Sequence, residues 1–258
     1  MGRIVAVLAG QPRNPAYQAA VERAYRVIRD AGSMTWFPPS MCRHRRGLFA
    51  AINIGLSYGK GQTSPRWLNT KEYTIAEDLL VNEDVGRMAG FADATFALWA
   101  PRLYQRYRKC DAKLRTSDEN LRHPFKHSVF FAATFNFGPN VWTFKHRDVL
   151  NSGIRLMGGH IVLWDLRLIV EFPPSALILL PSATVAHSNI PVQQGEERAS
   201  FTQFSAGGIF RYVDNGCQTV KELAEDNPEE YRCLMALKAA RWEEGLGLLS
   251  TMDEPLST

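Results

Sequence analysis

The sequence has few cysteines, and they do not form pairs with metal-binding or redox spacing. They lie far apart, with no C-x-x-C pair, as Cys42, Cys110, Cys217 and Cys233. This spacing argues against a disulfide framework and favours a reduced, intracellular compartment. The tract Cys42-Arg43-His44 offers only two potential zinc ligands without partners, which is too few for a structural zinc site.

The sequence also lacks long apolar runs, internal repeats, low-complexity tracts and a strong charge imbalance. Its apolar stretches are shorter than the roughly 18–20 residues of a membrane span, and no secretory signal pattern is found. The net charge is +4 over 258 residues, which permits a polyanionic partner without requiring one. We therefore expect one intracellular domain over residues 1–258, without a membrane partner.

Two short basic clusters occur within this modest charge. The first is Arg43-His44-Arg45-Arg46, and the second consists of Arg102, Arg106, Arg108 and Lys109. Between them in the sequence lies the loop 57–62 (SYGKGQ), which carries an aromatic ring, a cation and an amide. Such a loop can approach a nucleic acid backbone closely, but an ordinary solvated loop has the same composition.

The middle of the sequence predicts many short strands, and its flanks predict helices. Apolar or alternating runs separated by Gly and Pro predict strands at 3–9, 128–137, 141–145, 160–172, 176–180, 200–205 and 209–213. Amphipathic spacing predicts helices at 16–31, at 84–108 with a break at Pro101, and at 220–249 divided by Pro228. The expected fold class is α+β, with a double-stranded β-helix (jelly-roll) core braced by flanking α-helices.

The motif His146-Arg147-Asp148, followed later by His187, is the most informative feature of the sequence. Side chains alternate faces along a strand, so His146 and Asp148 share one side. A second histidine from a later strand completes two imidazoles and one carboxylate, which is the facial triad of non-haem Fe(II) oxygenases. An isolated H-x-D is usually a surface or turn sequence, but the ordered set with strand-like flanks favours a metal site.

Eleven residues after His187 comes Arg198, and Ser200 follows on the same face of a predicted strand. A guanidinium group can hold a carboxylate through two parallel hydrogen bonds, and a hydroxyl can add a third contact. An iron triad with a carboxylate anchor is what a 2-oxoglutarate-dependent dioxygenase requires. The expected cofactors are Fe(II), 2-oxoglutarate as co-substrate, and O2.

Five segments of the sequence resemble the fungal TET/JBP-like dioxygenases. They are AATFNFGPN, FKHRDVLN, GGHIVLWDL, EFPPSALILLPSATVAHSNIPVQ and RASFTQFSAGGIFRYVDNG. The resemblance extends upstream through the loop 57–62 and the sequence WAPRLY, so it covers most of the chain. It implies oxidation of methyl groups on DNA bases, with 5-methylcytosine as the main substrate and 6-methyladenine as a further one. It also implies methylated double-stranded DNA as partner and a nuclear location.

The resemblance also assigns residues by the motif positions that they match. The iron ligands are His146, Asp148 and His187, and Arg198 with Ser200 holds the carboxylate of 2-oxoglutarate. His160 and Asn136 match further co-substrate contacts. In H-x-D-x-x-N, Asn151 matches the residue that hydrogen-bonds the flipped methylated base; without the resemblance it reads as a turn residue. One departure is the segment between Asp148 and His160, which is shorter than in these relatives and lacks an apolar strand.

A base inside a duplex cannot reach a buried metal, so it must be flipped out and held by edge contacts and stacking. The candidate stacking rings are Phe135, Phe137, Trp142 and Phe204. Two other classes of function remain open on the sequence. One is a hydroxylase of a protein or a small molecule, and the other is a non-catalytic nucleic-acid-binding relative. We expect the protein to be a monomer.

Overall fold

Antiparallel strands form the centre of the chain, and most helices lie on either side of them in sequence. The computed structural model describes residues 2–59, 61–68, 74–148, 151–156, 160–237 and 240–254, with 151–156 described by their backbone alone. The strands are β1 (Val7–Gly10), β2 (Ala51–Ser57), β3 (Arg66–Trp67), β4 (Ala132–Asn136), β5 (Asn151–Leu156), β6 (Ile161–Leu163), β7 (Leu168–Val170), β8 (Leu177–Leu180), β9 (His187–Asn189) and β10 (Ser200–Ala206).

The helices confirm the predicted flanks. They are α1 (Pro15–Met34), α2 (Pro39–Cys42), α3 (Thr74–Val81), α4 (Glu83–Trp99), α5 (Pro101–Ser117), α6 (Gly207–Asp214), α7 (Val220–Asp226), α8 (Pro228–Ala236) and α9 (Arg241–Gly247). Pro101 separates α4 from α5, and Pro228 separates α7 from α8, as the sequence predicts. Among the described residues, no helix combines the length and the apolar character that crossing a membrane requires.

The strands form a large and a small sheet. The large sheet has the order β1-β8-β5-β10-β4-β2-β3, and the small sheet has the order β7-β6-β9. Every neighbouring pair is antiparallel. The chain is therefore a mixed α/β structure with antiparallel sheets, as predicted. The assignment of these sheets to a double-stranded β-helix stays a prediction.

Side-chain alternation decides which face of the large sheet meets the helices. Phe135 and Phe201 stack with ring centroids 5.2 Å apart and pack with buried residues of α1, α3 and α4. Because neighbouring strand residues point to opposite faces, Thr134, Asn136 and Ser200 lie on the other face. A second apolar cluster on that side joins β8 to β6 through Ile161, Leu163, Ile178 and Leu180. Thr134, Asn136 and Ser200 therefore face the small sheet, whereas Gln203 faces the helices and donates to the carbonyl oxygen of Ala89 on α4.

Two predicted strands are wrong in this part of the chain. The run 209–213 is not a strand, because α6 covers it and buries Ile209 and Val213, four residues apart, on one face. The preceding glycines are the first turn of that helix. A Cβ on Gly208 would lie 2.5 Å from the carbonyl oxygen of Tyr58, so this close approach requires glycine. The run 160–172 is a hairpin of β6 and β7, turning at Arg167, whose φ is 53°.

Other strand boundaries also differ from the prediction. The segment 141–145 does not form one of the described strands and instead makes single bridges, Gly47 with Thr143 and, just beyond the segment, His146 with His187. The opening strand is limited to Val7–Gly10. Sequence patterns did not predict β2 or β5. Strand β5 occupies the segment that resembled a shortened loop, and it pairs with both β10 and β8.

Candidate metal centre

The three residues of the predicted triad are brought together by backbone pairing. His146 and His187 exchange two backbone hydrogen bonds of 3.0 Å each. The backbone N–H of Asp148 donates to the carbonyl oxygen of Ser182 at 2.9 Å. All three side chains belong to buried residues, with 7%, 5% and 2% exposure for His146, Asp148 and His187. Buried ionisable groups without a binding role are rare, so this clustering indicates a site.

The spacing of the ligand atoms fits one metal ion. One ligand atom from each of His146, Asp148 and His187 lies within 4.8 Å of the other two. His146 Nε2 and Asp148 Oδ1 are 3.7 Å apart, and the two imidazole centroids are 4.4 Å apart. Ligands bound at about 2.1 Å and at right angles lie about 3 Å apart. A small contraction therefore brings these atoms to coordination distance.

Hydrogen bonds fix both imidazole rings in the form that binds metals. His146 Nδ1 lies 2.6 Å from the carbonyl oxygen of Phe144, and His187 Nδ1 lies 2.8 Å from that of Val185. A carbonyl oxygen can only accept, so each Nδ1 carries a hydrogen, and in the neutral ring Nε2 is the nitrogen that can bind a metal. Such outer partners orient metal-binding histidines. Two neutral imidazoles and one carboxylate match the donor set that non-haem iron takes.

Arg198 is buried beside the strand that carries His187. Its residue exposure is 6%, and its Nη1 donates to the carbonyl oxygen of Ile190 at 3.0 Å, three residues past His187. Burial lowers the pKa of the Arg198 guanidinium, while Glu196 acts in the opposite direction. Within the described ranges, no carboxylate forms an ion pair with Arg198. A buried cation of this kind favours a small anionic ligand.

Asn136 and Ser200 lie opposite each other on β4 and β10. Asn136 Nδ2 donates to Ser200 Oγ at 2.8 Å, and both residues are buried. Asn136 Oδ1 is also buried and has no hydrogen-bond partner among the described residues. Because Ser200 Oγ already accepts from Asn136, its own O–H is available to donate elsewhere. The pair thus offers polar groups on the face that meets the small sheet.

The structure gives less information on His160 and Asn151. His160 is exposed, and its carbonyl oxygen accepts from the backbone N–H of Ile190 at 3.2 Å. His160 therefore lies next to Ile190, whose own carbonyl oxygen accepts from Arg198. Asn151 begins β5 and pairs with Ala206. The side chain of Asn151 lies outside the described part of the structure. Their roles toward the co-substrate and the base stay predictions.

The structure narrows the set of candidate stacking rings. Phe135 and Phe137 are 0% and 2% exposed and belong to the core between the large sheet and the helices, so neither can stack on a substrate. Phe204 is half-buried. Trp142 is 40% exposed and packs edge-to-face against Phe144. Trp142 is therefore the most exposed of the four predicted rings.

Arg45 is a neighbour of the triad that the sequence did not identify as such. Its Nη1 donates to the carbonyl oxygen of Arg147 at 2.6 Å, and its Nη2 lies 3.5 Å from Asp148 Oδ1. Sequence patterns placed Arg45 only in a basic cluster. Contacts across more than 100 residues of chain are not visible in a local motif.

The chain matches no family model and no curated protein. Solved structures match it at the level of the fold. NgTET1 in complex with 5mC DNA aligns with a TM-score of 0.51 and 10% identity, over 79% of this chain and 72% of that chain. AviO1 from Streptomyces viridochromogenes Tue57 aligns with a TM-score of 0.37 and 11% identity, over 79% and 90%. A prolyl-4-hydroxylase from Pseudomonas putida aligns with a TM-score of 0.32 and 14% identity, over 78% and 91%. The chain thus shares a fold with NgTET1.

Proposed function

We propose that this protein is an Fe(II)- and 2-oxoglutarate-dependent dioxygenase, built on a double-stranded β-helix, that oxidises methyl groups on DNA bases. We expect 5-methylcytosine to be its main substrate and 6-methyladenine to be a further one. The observation that carries this proposal is the buried triad of His146, Asp148 and His187, with both imidazoles held in the metal-binding tautomer. Two core histidines with purely structural roles have no need for both rings to be held through Nδ1 beside the same buried carboxylate.

Each group of the site has a separate task in this chemistry. His146, Asp148 and His187 hold the metal on one side and leave its other side open. When bound, Fe(II) would supply coordination positions for 2-oxoglutarate and O2 and would activate O2, which is the oxidant for the substrate C–H bond. Burial of the three residues limits the access of water.

Arg198, Ser200 and Asn136 are suited to the far carboxylate of 2-oxoglutarate. The guanidinium of Arg198 uses one N–H on Ile190, which leaves its remaining donors for a ligand. The O–H of Ser200 can donate to the same carboxylate because Asn136 supplies the hydrogen bond that Ser200 Oγ accepts. The carboxylate would in turn give the buried charge of Arg198 an ionic partner.

The DNA substrate is supported by the fold shared with NgTET1, whose solved complex contains 5mC DNA. A duplex base must leave the stack to reach a buried site, and amide groups can then read its edge. Asn151 is assigned this contact because H-x-D-x-x-N resembles the motif of the TET/JBP-like dioxygenases, in which the Asn hydrogen-bonds the flipped base. We propose a monomeric nuclear protein that acts on methylated double-stranded DNA.

The test is nucleoside mass spectrometry after incubation of methylated duplexes with the protein, Fe(II), ascorbate and 2-oxoglutarate. Hydroxymethylated or further oxidised bases are expected with the parent protein, together with succinate. Matched controls are an unmethylated duplex and the His187→Ala variant. Turnover of 2-oxoglutarate without base oxidation would assign the protein to hydroxylases of a protein or small molecule. Absence of both reactions, in a folded protein that binds DNA, would favour a non-catalytic relative.

A further inference from the structure

A basic hairpin packs against the segment that leads into the triad. His44 and Gly47 exchange backbone hydrogen bonds of 3.2 and 3.0 Å, which closes the hairpin. The backbone N–H of Phe144 then donates to the carbonyl oxygen of Arg46 at 2.8 Å. The first basic cluster of the sequence is thereby fixed beside the chain that carries the metal ligands.

The close approach of this hairpin depends on Gly47. A Cβ at this position would lie 2.4 Å from the carbonyl oxygen of Trp142 and 2.5 Å from the ring of Phe49. The ring of His44 is held by Phe49, whose carbonyl oxygen lies 3.0 Å from His44 Nε2. The hairpin therefore has a defined position and is not a loose basic loop.

Arg45 extends from the metal site to the solvent. Its Nη2 is 3.5 Å from Asp148 Oδ1, yet 57% of its side chain is exposed. Arg43 on the same hairpin is exposed as well. Arg45 thus lies at the edge where the buried site meets the solvent, and the exposed Arg43 precedes it by two positions in the chain.

Two exposed aromatic rings lie on the segment whose backbone pairs with this hairpin. Trp142 is 40% exposed and Phe144 is 37% exposed, and their ring centroids are 5.2 Å apart. Trp142 Nε1 donates to the carbonyl oxygen of Asn189 at 3.1 Å, which fixes the indole. Trp142 also lines a cleft of about 460 Å³, together with Asn140 and residues 191–196. That volume is within the range of ligand-binding clefts.

The second basic cluster does not offer a comparable surface. Arg102 binds the carbonyl oxygens of Gly247 and Leu249 and the carboxylate of Glu254. Arg106 forms an ion pair with Asp214 at 2.5 Å. Those two arginines stabilise the packing of the C-terminal helices, whereas Arg45 lies at an edge of the metal site.

We propose that Arg43, Arg45, Trp142 and Phe144, here called the rim, bind a single nucleic acid strand next to the metal centre. This inference rests on the proposed function and names the surface that would hold the substrate strand. The arginines contact phosphates, and the rings stack on an unpaired base. Cations interleaved with exposed aromatic rings are the combination used for single strands, because every base has a stacking face and every nucleotide a negative charge.

The test is fluorescence anisotropy of a labelled 12-nucleotide single-stranded DNA, without added iron or 2-oxoglutarate, at several salt concentrations. The Arg43→Gln/Arg45→Gln double variant should bind more weakly, and the slope of log affinity against log salt should decrease by about 1.4, which is about 0.7 per phosphate contact. Trp142→Leu should weaken binding about tenfold, whereas Trp142→Phe should keep most of the affinity. Gly47→Ala should weaken binding because it displaces the hairpin.

Matched controls come from exposed residues on other elements. Arg108→Gln removes a cation of the second cluster, and Trp242→Leu removes an exposed indole of α9. Both should leave binding unchanged. Equal losses in the controls, or salt-independent binding by the parent, would overturn the inference. A third result would also overturn it. In that result Arg45→Gln and Trp142→Leu, each as a single variant, bind DNA as the parent does, and Arg45→Gln lowers only the affinity for Mn²⁺. Arg45 would then merely position Asp148.

Failure of the rim and failure of the proposed function give different results. If the protein oxidises methylated DNA but the rim variants bind DNA like the parent, only the rim is wrong. If the rim variants lose binding as expected but methylated bases are never oxidised, the rim stands and the dioxygenase function fails. Near-ultraviolet circular dichroism of each variant checks that its fold is retained.

Discussion

The exchange of Arg198 for lysine tests the co-substrate site most directly. Arg198 is 6% exposed, donates once to Ile190 and has no carboxylate partner among the described residues. A lysine keeps the charge but loses the planar fork, so at least one hydrogen bond to the ligand carboxylate is lost. A hydrogen bond to a charged group contributes about 1.5–3 kcal/mol, which corresponds to roughly 10- to 150-fold in affinity.

This difference can be measured as ligand-induced thermal stabilisation. With Mn²⁺ in place of iron and 2-oxoglutarate at about 100 times its dissociation constant, the parent gains about 2.7 kcal/mol. For a chain of this size that is a melting temperature shift of about 5–10 °C. If Arg198→Lys weakens binding about 30-fold, the gain falls to about 0.9 kcal/mol and the shift to about 2–3 °C.

Arg23→Lys is the matched control for this experiment. Arg23 also uses its fork, with bonds of 2.8 and 2.7 Å to Asp84, but 54% of its side chain is exposed and it lies on α1. This variant should keep the full shift with 2-oxoglutarate. If Arg198→Lys also keeps the full shift, then Arg198 does not bind the co-substrate, and the reasoning from its burial is wrong.

Three further predictions concern the metal, the base and pH. His187→Ala should abolish 2-oxoglutarate decarboxylation and lower metal affinity, measured by calorimetric Mn²⁺ titration, while circular dichroism stays unchanged; full turnover would contradict the triad. Asn151→Ala should lower oxidation of methylated DNA far more than DNA binding, since phosphate contacts dominate affinity; equal oxidation by variant and parent would remove its assignment to the base. The bond from the backbone N–H of Ala186, at 2.6 Å, and the ion pair with Arg147 hold the pKa of the Asp165 carboxyl below its usual value. Its charged form stabilises the fold above about pH 4, and that contribution is lost as pH falls through the lowered pKa. Asp165→Asn should therefore destabilise the protein at pH 7 in urea titrations, and the difference from the parent should shrink as the pH is lowered below about 4; a pH-independent effect would contradict this account.

The sequence identifies the three residues that the structure brings together, because the chemistry of such a site restricts residue types and spacing. His146 and Asp148 are two positions apart, and His187 begins a separate strand whose backbone pairs with His146. That partner strand is not visible in the motif itself, but the apolar flanks indicate it. The Pro-bounded helices were equally predictable, since proline restricts where a helix can continue.

Short apolar runs were less informative, because a buried helix turn and a buried strand have the same composition. The run 209–213 lies in α6, which buries Ile209 and Val213 on one face, a spacing that fits a helix as well as an apolar strand. The stacking rings illustrate a different error. Asn136 and Phe135 are neighbours on β4, so alternation forbids both from facing the same side. The side chain of Phe135 therefore cannot share a site with that of Asn136, and strand alternation alone is enough to exclude it as a stacking ring.

The position of Arg45 beside the triad was not predictable from the sequence. Arg45 contacts the carbonyl oxygen of Arg147 across 102 positions, through a hairpin that depends on Gly47.

The two arginines of the site, Arg198 and Arg45, have opposite environments, and this difference separates the ligands that they suit. The buried Arg198 can serve only a small anion that enters the site, and salt screens such a contact little. The exposed Arg45 suits a polyanion, whose binding releases counterions and weakens steeply with salt. Raising the salt concentration should therefore weaken oligonucleotide binding while 2-oxoglutarate binding changes little.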